Sequence, residues 1–125
     1  MKRLLFLLPF LWSCTKAPDK IDFGKLPYEN LSDYGFFTGD LKELTPAERL
    51  LEFTPTSPLF TDYAHKKRYV WMPEGSHATL PEDPDAPFDF PEKSILIKHF
   101  YYPLQFKNPE GDRRILETRL LIKHQ

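Results

Sequence analysis

Ser94-Ile95-Leu96-Ile97-Lys98-His99-Phe100-Tyr101-Tyr102 is the stretch that decides the fold. Alternation with a period of two places Ile95, Ile97, His99 and Tyr101 on one face and Leu96, Lys98, Phe100 and Tyr102 on the other. Both faces carry bulk, which predicts a strand in the middle of a sheet. Downstream, Arg113 to Lys123 reads as a second strand. Its alternation sets Leu116, Thr118, Leu120 and Ile122 against Ile115, Glu117, Arg119, Leu121 and Lys123. The loop from Pro103 to Asp112 joins the two, ending in the turn-forming run Asn108-Pro109-Glu110-Gly111-Asp112.

Upstream, His65 to Met72 reads as a third strand, because Tyr69, Val70 and Trp71 favour extended backbone. Pro73-Glu74-Gly75 supplies a turn, after which Ser76 to Leu80 is expected to return as a short partner strand. Pro81 to Pro87 is an acidic, proline-rich loop. Thr45-Pro46-Ala47-Glu48 has the pattern of a helix start, with Thr45 as cap, Pro46 in the first turn and Glu48 reaching back. That helix must be short, since Thr54-Pro55 and Ser57-Pro58 follow at once. The expectation is an all-β domain, mainly an antiparallel β-sandwich or open barrel, with one short helix near the N-terminus.

Composition narrows the class further. The 17 Lys and Arg balance 18 Asp and Glu, which argues against a nucleic-acid partner. With 11 Phe, 6 Tyr and 2 Trp the chain can build an apolar core. The 13 prolines recur along its length and forbid long helices.

The N-terminus addresses location. Lys2-Arg3, the short apolar run Leu4 to Trp12 and Leu11-Trp12-Ser13-Cys14 have the form of a bacterial lipoprotein signal. The run is too short to span a bilayer, which takes roughly 20 apolar residues. Cleavage before Cys14 would leave it as an acylated first residue carrying diacylglycerol. The expected organisation is residues 1–13 as signal, 14–27 as tether and 28–125 as one β-rich domain. Such a chain would be lipid-anchored in the bacterial cell envelope and face the periplasm. Cys14 is the only cysteine, so once acylated it leaves no thiol for a disulfide, a thiolate metal site or a nucleophile.

Several segments carry a resemblance. They are Leu31-Ser32-Asp33-Tyr34-Gly35-Phe36-Phe37, Pro58-Leu59-Phe60-Thr61-Asp62-Tyr63-Ala64 with Lys67-Arg68-Tyr69-Val70, and Phe88-Asp89-Phe90-Pro91. Ile95 to Pro103 and Arg113-Arg114-Ile115-Leu116-Glu117-Thr118-Arg119-Leu120-Leu121-Ile122 follow in order. Together they resemble the N-terminal β-rich part of a dihaem c-type cytochrome family, whose related modules accompany periplasmic dehydrogenase-like proteins. The resemblance implies further β structure and two C-x-x-C-H haem motifs beyond the Glu-Thr-Arg strand, and so an incomplete domain here. This chain has no C-x-x-C-H, so it cannot hold haem c covalently. What the resemblance implies is a redox neighbourhood: a c-type cytochrome or periplasmic dehydrogenase as partner, and no cofactor in this chain.

Candidate sites are sparse. His65, His77, His99 and His124 match no metal-ligand spacing, and His99 on an apolar strand face reads as a hydrogen-bonded core residue before a metal or haem ligand. Lys98 or His99 with Glu117 and Arg119 could form a polar cluster; a cross-strand ion-pair ladder is the plainer reading. Asp62 is expected to cap the turn before His65 or to touch a ligand. The acidic group Glu82, Asp83, Asp85 and Asp89 lacks the glycine a calcium loop needs. No nucleophile or paired carboxylates point to a catalytic residue. The expected function is a non-catalytic, membrane-anchored module; the alternative is a sugar- or peptide-binding lipoprotein with Tyr69, Trp71, Tyr101 and Tyr102 along a groove, and the least favoured reading is an enzyme using Asp89, Glu117 or His99 as acid or base.

Overall fold

The computed structural model describes residues 21–57 and 59–124. The segment expected to be a signal, residues 1–13, and Cys14 lie outside these residues. Among them the regular structure is a four-stranded antiparallel sheet in chain order: β1 (Leu51–Glu52), β2 (His65–Trp71), β3 (Ile95–Pro103) and β4 (Arg113–Ile122). The all-β expectation holds, and β3 lies between β2 and β4 as its two bulky faces predict.

Register fixes the faces. Tyr69 pairs with Ile97, which pairs with Leu120; Lys67 pairs with His99, which pairs with Thr118. This face is the core, where Tyr69, Trp71, Ile95, Ile97 and His99 are fully buried. Burying each large apolar side chain contributes roughly 1.5–3 kcal/mol. The opposite face carries Lys66, Arg68, Lys98, Phe100 and Arg119.

β4 departs from simple alternation. Phe100 pairs with Glu117, but Tyr101 pairs with Ile115, so Leu116 is the extra residue of a β-bulge. Alternation puts Leu116 on the face of Thr118 and Leu120. The bulge turns it outward and brings Ile115 and Arg113 to the core face instead. A single inserted residue exchanges faces for everything on one side of it.

The core face is covered by the chain before β1, which forms 3₁₀ turns at Phe23–Lys25, Leu31–Tyr34 and Leu41–Glu43. Ile21, Tyr34, Phe36, Ala47 and Leu50 pack with the sheet residues, and Phe23 and Leu26 border them. Packing therefore begins inside the 14–27 stretch expected to be tether.

The helix expected from Thr45 does not form. The Thr45 carbonyl accepts from the Thr38 N–H at 3.0 Å, and the Ala47 N–H donates to the Phe36 carbonyl at 2.9 Å. Pro46 bridges to Phe37. These bonds commit residues 45–47 to an extended pairing and outweigh a favourable cap. Asp40 caps the preceding turn instead, its carboxylate accepting from the Lys42 N–H.

The expected strand Ser76 to Leu80 is likewise absent. The Pro73 turn is present, closed by the Ser76 N–H on the Pro73 carbonyl. Beyond it only Thr79 makes a bridge, to Asp89. The partners of β2 are β1 and β3.

Candidate functional site

The polar residues singled out on β3 and β4 divide between the two faces of the sheet. Lys98, Glu117 and Arg119 lie on the outer face; His99 lies on the core face. They therefore form no single cluster.

On the core face, His99 is walled by the rings of Phe37 and Tyr69, at centroid distances of 4.7 and 5.9 Å. Its Nδ1 sits 2.8 Å from the Thr118 hydroxyl. Burial pushes the imidazole down to about 4, so it is neutral at physiological pH. Nε2 is buried with no hydrogen-bond partner among the described residues. The environment is that of a buried core histidine. Among the described residues no group of three His, Cys, Asp or Glu side chains converges to hold a metal ion. The sole cysteine also rules out the two thioether bonds of a haem c attachment.

A polar network that the sequence did not announce closes the same end of the core face. The Lys67 ammonium lies 3.1 Å from Glu110 and 3.4 Å from Glu52. Arg113 donates to the Glu110 carbonyl at 2.7 Å and stacks over the Tyr101 ring at 4.8 Å. Burial alone would lower the Lys67 ammonium, yet the hydrogen bond to Glu110 and the charge of Glu52 carry it above its ordinary value. The Lys67 hydrogen bond in turn holds the Glu110 carboxyl below its usual range. The bulge made this network hard to foresee, because it alone puts Arg113 on the buried side.

On the outer face, Phe100 is surrounded by cations. Lys98 Nζ lies 4.8 Å from the ring centre, the Arg119 guanidinium 5.1 Å and Lys66 Nζ 5.9 Å. Arg68 and Arg119 flank Lys98 in register. Glu117 pairs with Arg119 along its own strand rather than across the sheet. Desolvation, then the charges of Lys98 and Arg68, hold the Lys66 ammonium below its ordinary value. The cations thus repel one another, and one carboxylate offsets them. Phe90 shares a cavity with Leu96 and Leu121 at the other end of this face. The 3₁₀ turns lie across the core face and leave the Phe100 end open.

Asp62 sits in a tight turn. Asp62 and Tyr63 have φ of 47° and 64°, and Thr61 closes the turn through backbone and hydroxyl bonds to Ala64, each 2.8 Å. The Asp62 carbonyl accepts from the Tyr102 hydroxyl at 3.3 Å. An open groove of about 510 Å³ lies beside it, lined by Leu59, Phe60, Tyr63, Lys66 and Arg68.

Of the aromatics that were candidates for a sugar groove, Tyr69, Trp71 and Tyr101 are buried in the core, and only Tyr102 reaches the surface. They do not line a groove. Scans against protein-family models, curated proteins and solved structures each find no match to this chain.

Proposed function

We propose that this chain is a lipid-anchored, non-catalytic docking module of the bacterial envelope that faces the periplasm. Its partner is a c-type cytochrome or a periplasmic dehydrogenase. The observation that carries the reading is the open, basic outer face around Phe100, where Lys66, Arg68, Lys98 and Arg119 meet one carboxylate, Glu117. A half-buried aromatic ring flanked by half-buried and exposed cations suits an acidic protein surface. The lipoprotein-like N-terminus supports the location, through diacylglycerol on Cys14. The resemblance to the dihaem family supports the kind of partner.

The test is capture from detergent-solubilised membranes by the wild-type chain and by a Lys98→Glu/Arg119→Glu variant. Haem-staining proteins should be retained by the first and lost from the second. Equal retention by both, or no haem-staining protein with either, rejects the reading. Loss of membrane attachment in Cys14→Ser tests the anchor separately.

A further inference from the structure

One end of the sheet holds the segment before β2 and the loop after β3, and both project large apolar side chains into water. Leu59, Phe60 and Tyr63 come from the first and Leu104 and Phe106 from the second, each between 66% and 81% exposed. Soluble domains rarely leave that many large apolar groups together at one end unless they contact something.

The two segments are tied to each other and closed on themselves. Tyr102 donates across to the Asp62 carbonyl. The Thr61–Ala64 turn fixes Tyr63, whose ring lies 6.1 Å from that of Phe60. The second loop is closed by the Leu104 N–H on the Asp112 carbonyl at 2.8 Å and the Asn108 N–H on the Gln105 carbonyl at 2.9 Å. The apolar groups are therefore held outward on bonded turns.

Positive charge accompanies them. Lys107 and Arg114 hold no ion pair among the described residues, and the Lys66 ammonium donates to the Leu59 carbonyl at 2.7 Å. The nearby carboxylates of Glu110 and Glu52 are already engaged by Lys67 and Arg113; Asp62 and Asp112 are further acids at this end.

We infer that this loop end is a membrane-contact surface for an anionic phospholipid bilayer, with Leu59, Phe60, Tyr63, Leu104 and Phe106 entering below the headgroups and Lys66, Lys107 and Arg114 meeting the phosphates. Protruding apolar tips beside cations match a bilayer interface, which accepts both at once. An acidic polypeptide would take the cations and leave the apolar tips in water. The inference leans on the anchored reading in one respect. Six residues lie between Cys14 and the packed Ile21, seven links that reach at most about 25 Å, which would keep the domain beside the bilayer. The surface adjoins the outer face around Phe100 and shares Lys66 with it.

The experiment uses the full chain carrying Cys14→Ser, which removes the acyl site and frees the chain for a single label. Phe60→Cys and Phe106→Cys each receive a polarity-sensitive fluorophore, with Leu59→Cys as a second reporter on the first turn and Glu82→Cys on the acidic loop as control. Reading at the label separates this surface from the apolar N-terminal segment. With phosphatidylcholine vesicles containing about 30% phosphatidylglycerol, emission at positions 59, 60 and 106 should shift to the blue and rise at least about twofold, while position 82 stays unchanged. Lys107→Glu/Arg114→Glu, or about 0.5 M salt, should weaken that binding roughly tenfold. Labels that stay in water on these vesicles overturn the inference. So does an equal, salt-insensitive response to pure phosphatidylcholine, or a response to poly-glutamate in place of vesicles. Capture of haem proteins is read on the unlabelled chain, so either conclusion can fail alone.

Discussion

The Thr118 hydroxyl lies 2.8 Å from His99 Nδ1, and it is the one hydrogen-bond partner, among the described residues, of a fully buried imidazole. Burial lowers the folded value to about 4 from an unfolded value near 6.5. Below pH 6.5 the unfolded chain takes up a proton that the folded chain refuses. Stability therefore falls as pH drops through that window and levels off near pH 4. The full effect is on the order of 3 kcal/mol. Urea midpoints measured from pH 7 to pH 4 should fall steeply for the wild type and more gently for His99→Gln.

Glu110 also loses its contribution on acidification, but because the fold favours its charged form rather than its neutral one. Its carboxyl is depressed by the Lys67 hydrogen bond, so its contribution is present above the unfolded carboxylate value and is lost as pH falls through the folded one. The side chain is largely exposed, which limits the effect. Glu110→Gln should cost about 1 kcal/mol at neutral pH and almost nothing near pH 3. Denaturant melts at the two pH values check it.

The bulge gives a prediction that runs against side-chain intuition. Deleting Leu116 leaves Ile115 beside Glu117, and the ladder with Tyr101 and Phe100 becomes regular with every face preserved. Deleting the exposed Arg119 instead inverts one half of β4 and takes either Thr118 or Leu120 and Ile122 off the core face. The first deletion should cost about 1 kcal/mol or less, and the second several. Thermal melts of the two variants decide it.

Charge reversal on the outer face should separate binding from folding. Lys98→Glu/Arg119→Glu should leave the melting temperature within a few degrees of wild type, because exposed charges contribute little to stability. The same variant should abolish haem-protein capture. A large drop in melting temperature would mean that these cations serve the fold.

The strands were legible because alternation is a strong local signal. Ile95, Ile97, His99 and Tyr101 announced a central strand, and the register confirms it. What was illegible depended on distant partners. Thr45-Pro46 carries a good helix start, but the Phe36 carbonyl and Thr38 N–H claim the neighbouring backbone. Leu51–Glu52 is too short to show a period, and becomes a strand by pairing with Val70 and Tyr69. Leu116 looks like any inward leucine; nothing in its own residue type marks the bulge. For that reason the Lys67–Glu110–Arg113 network has no signature in the sequence, while His99, the alternative to Lys98 beside Glu117 and Arg119, lies on the opposite face of the sheet from them. Asp62 lies in the turn before His65, but Thr61 and the backbone close that turn.

Sheet order follows chain order, and this has a kinetic meaning. The β3–β4 connection, Leu104 to Asp112, is less than half the length of the β2–β3 connection, Met72 to Ser94. Closing the shorter loop costs roughly 1 kcal/mol less chain entropy. The hairpin of β3 and β4 is the favoured nucleus; β2, β1 and the N-terminal cover would add to it against the direction of synthesis. A chain emerging from the ribosome would therefore wait for β4 before the aromatic residues of the N-terminal cover, Phe23 to Phe37, find a surface to bury against.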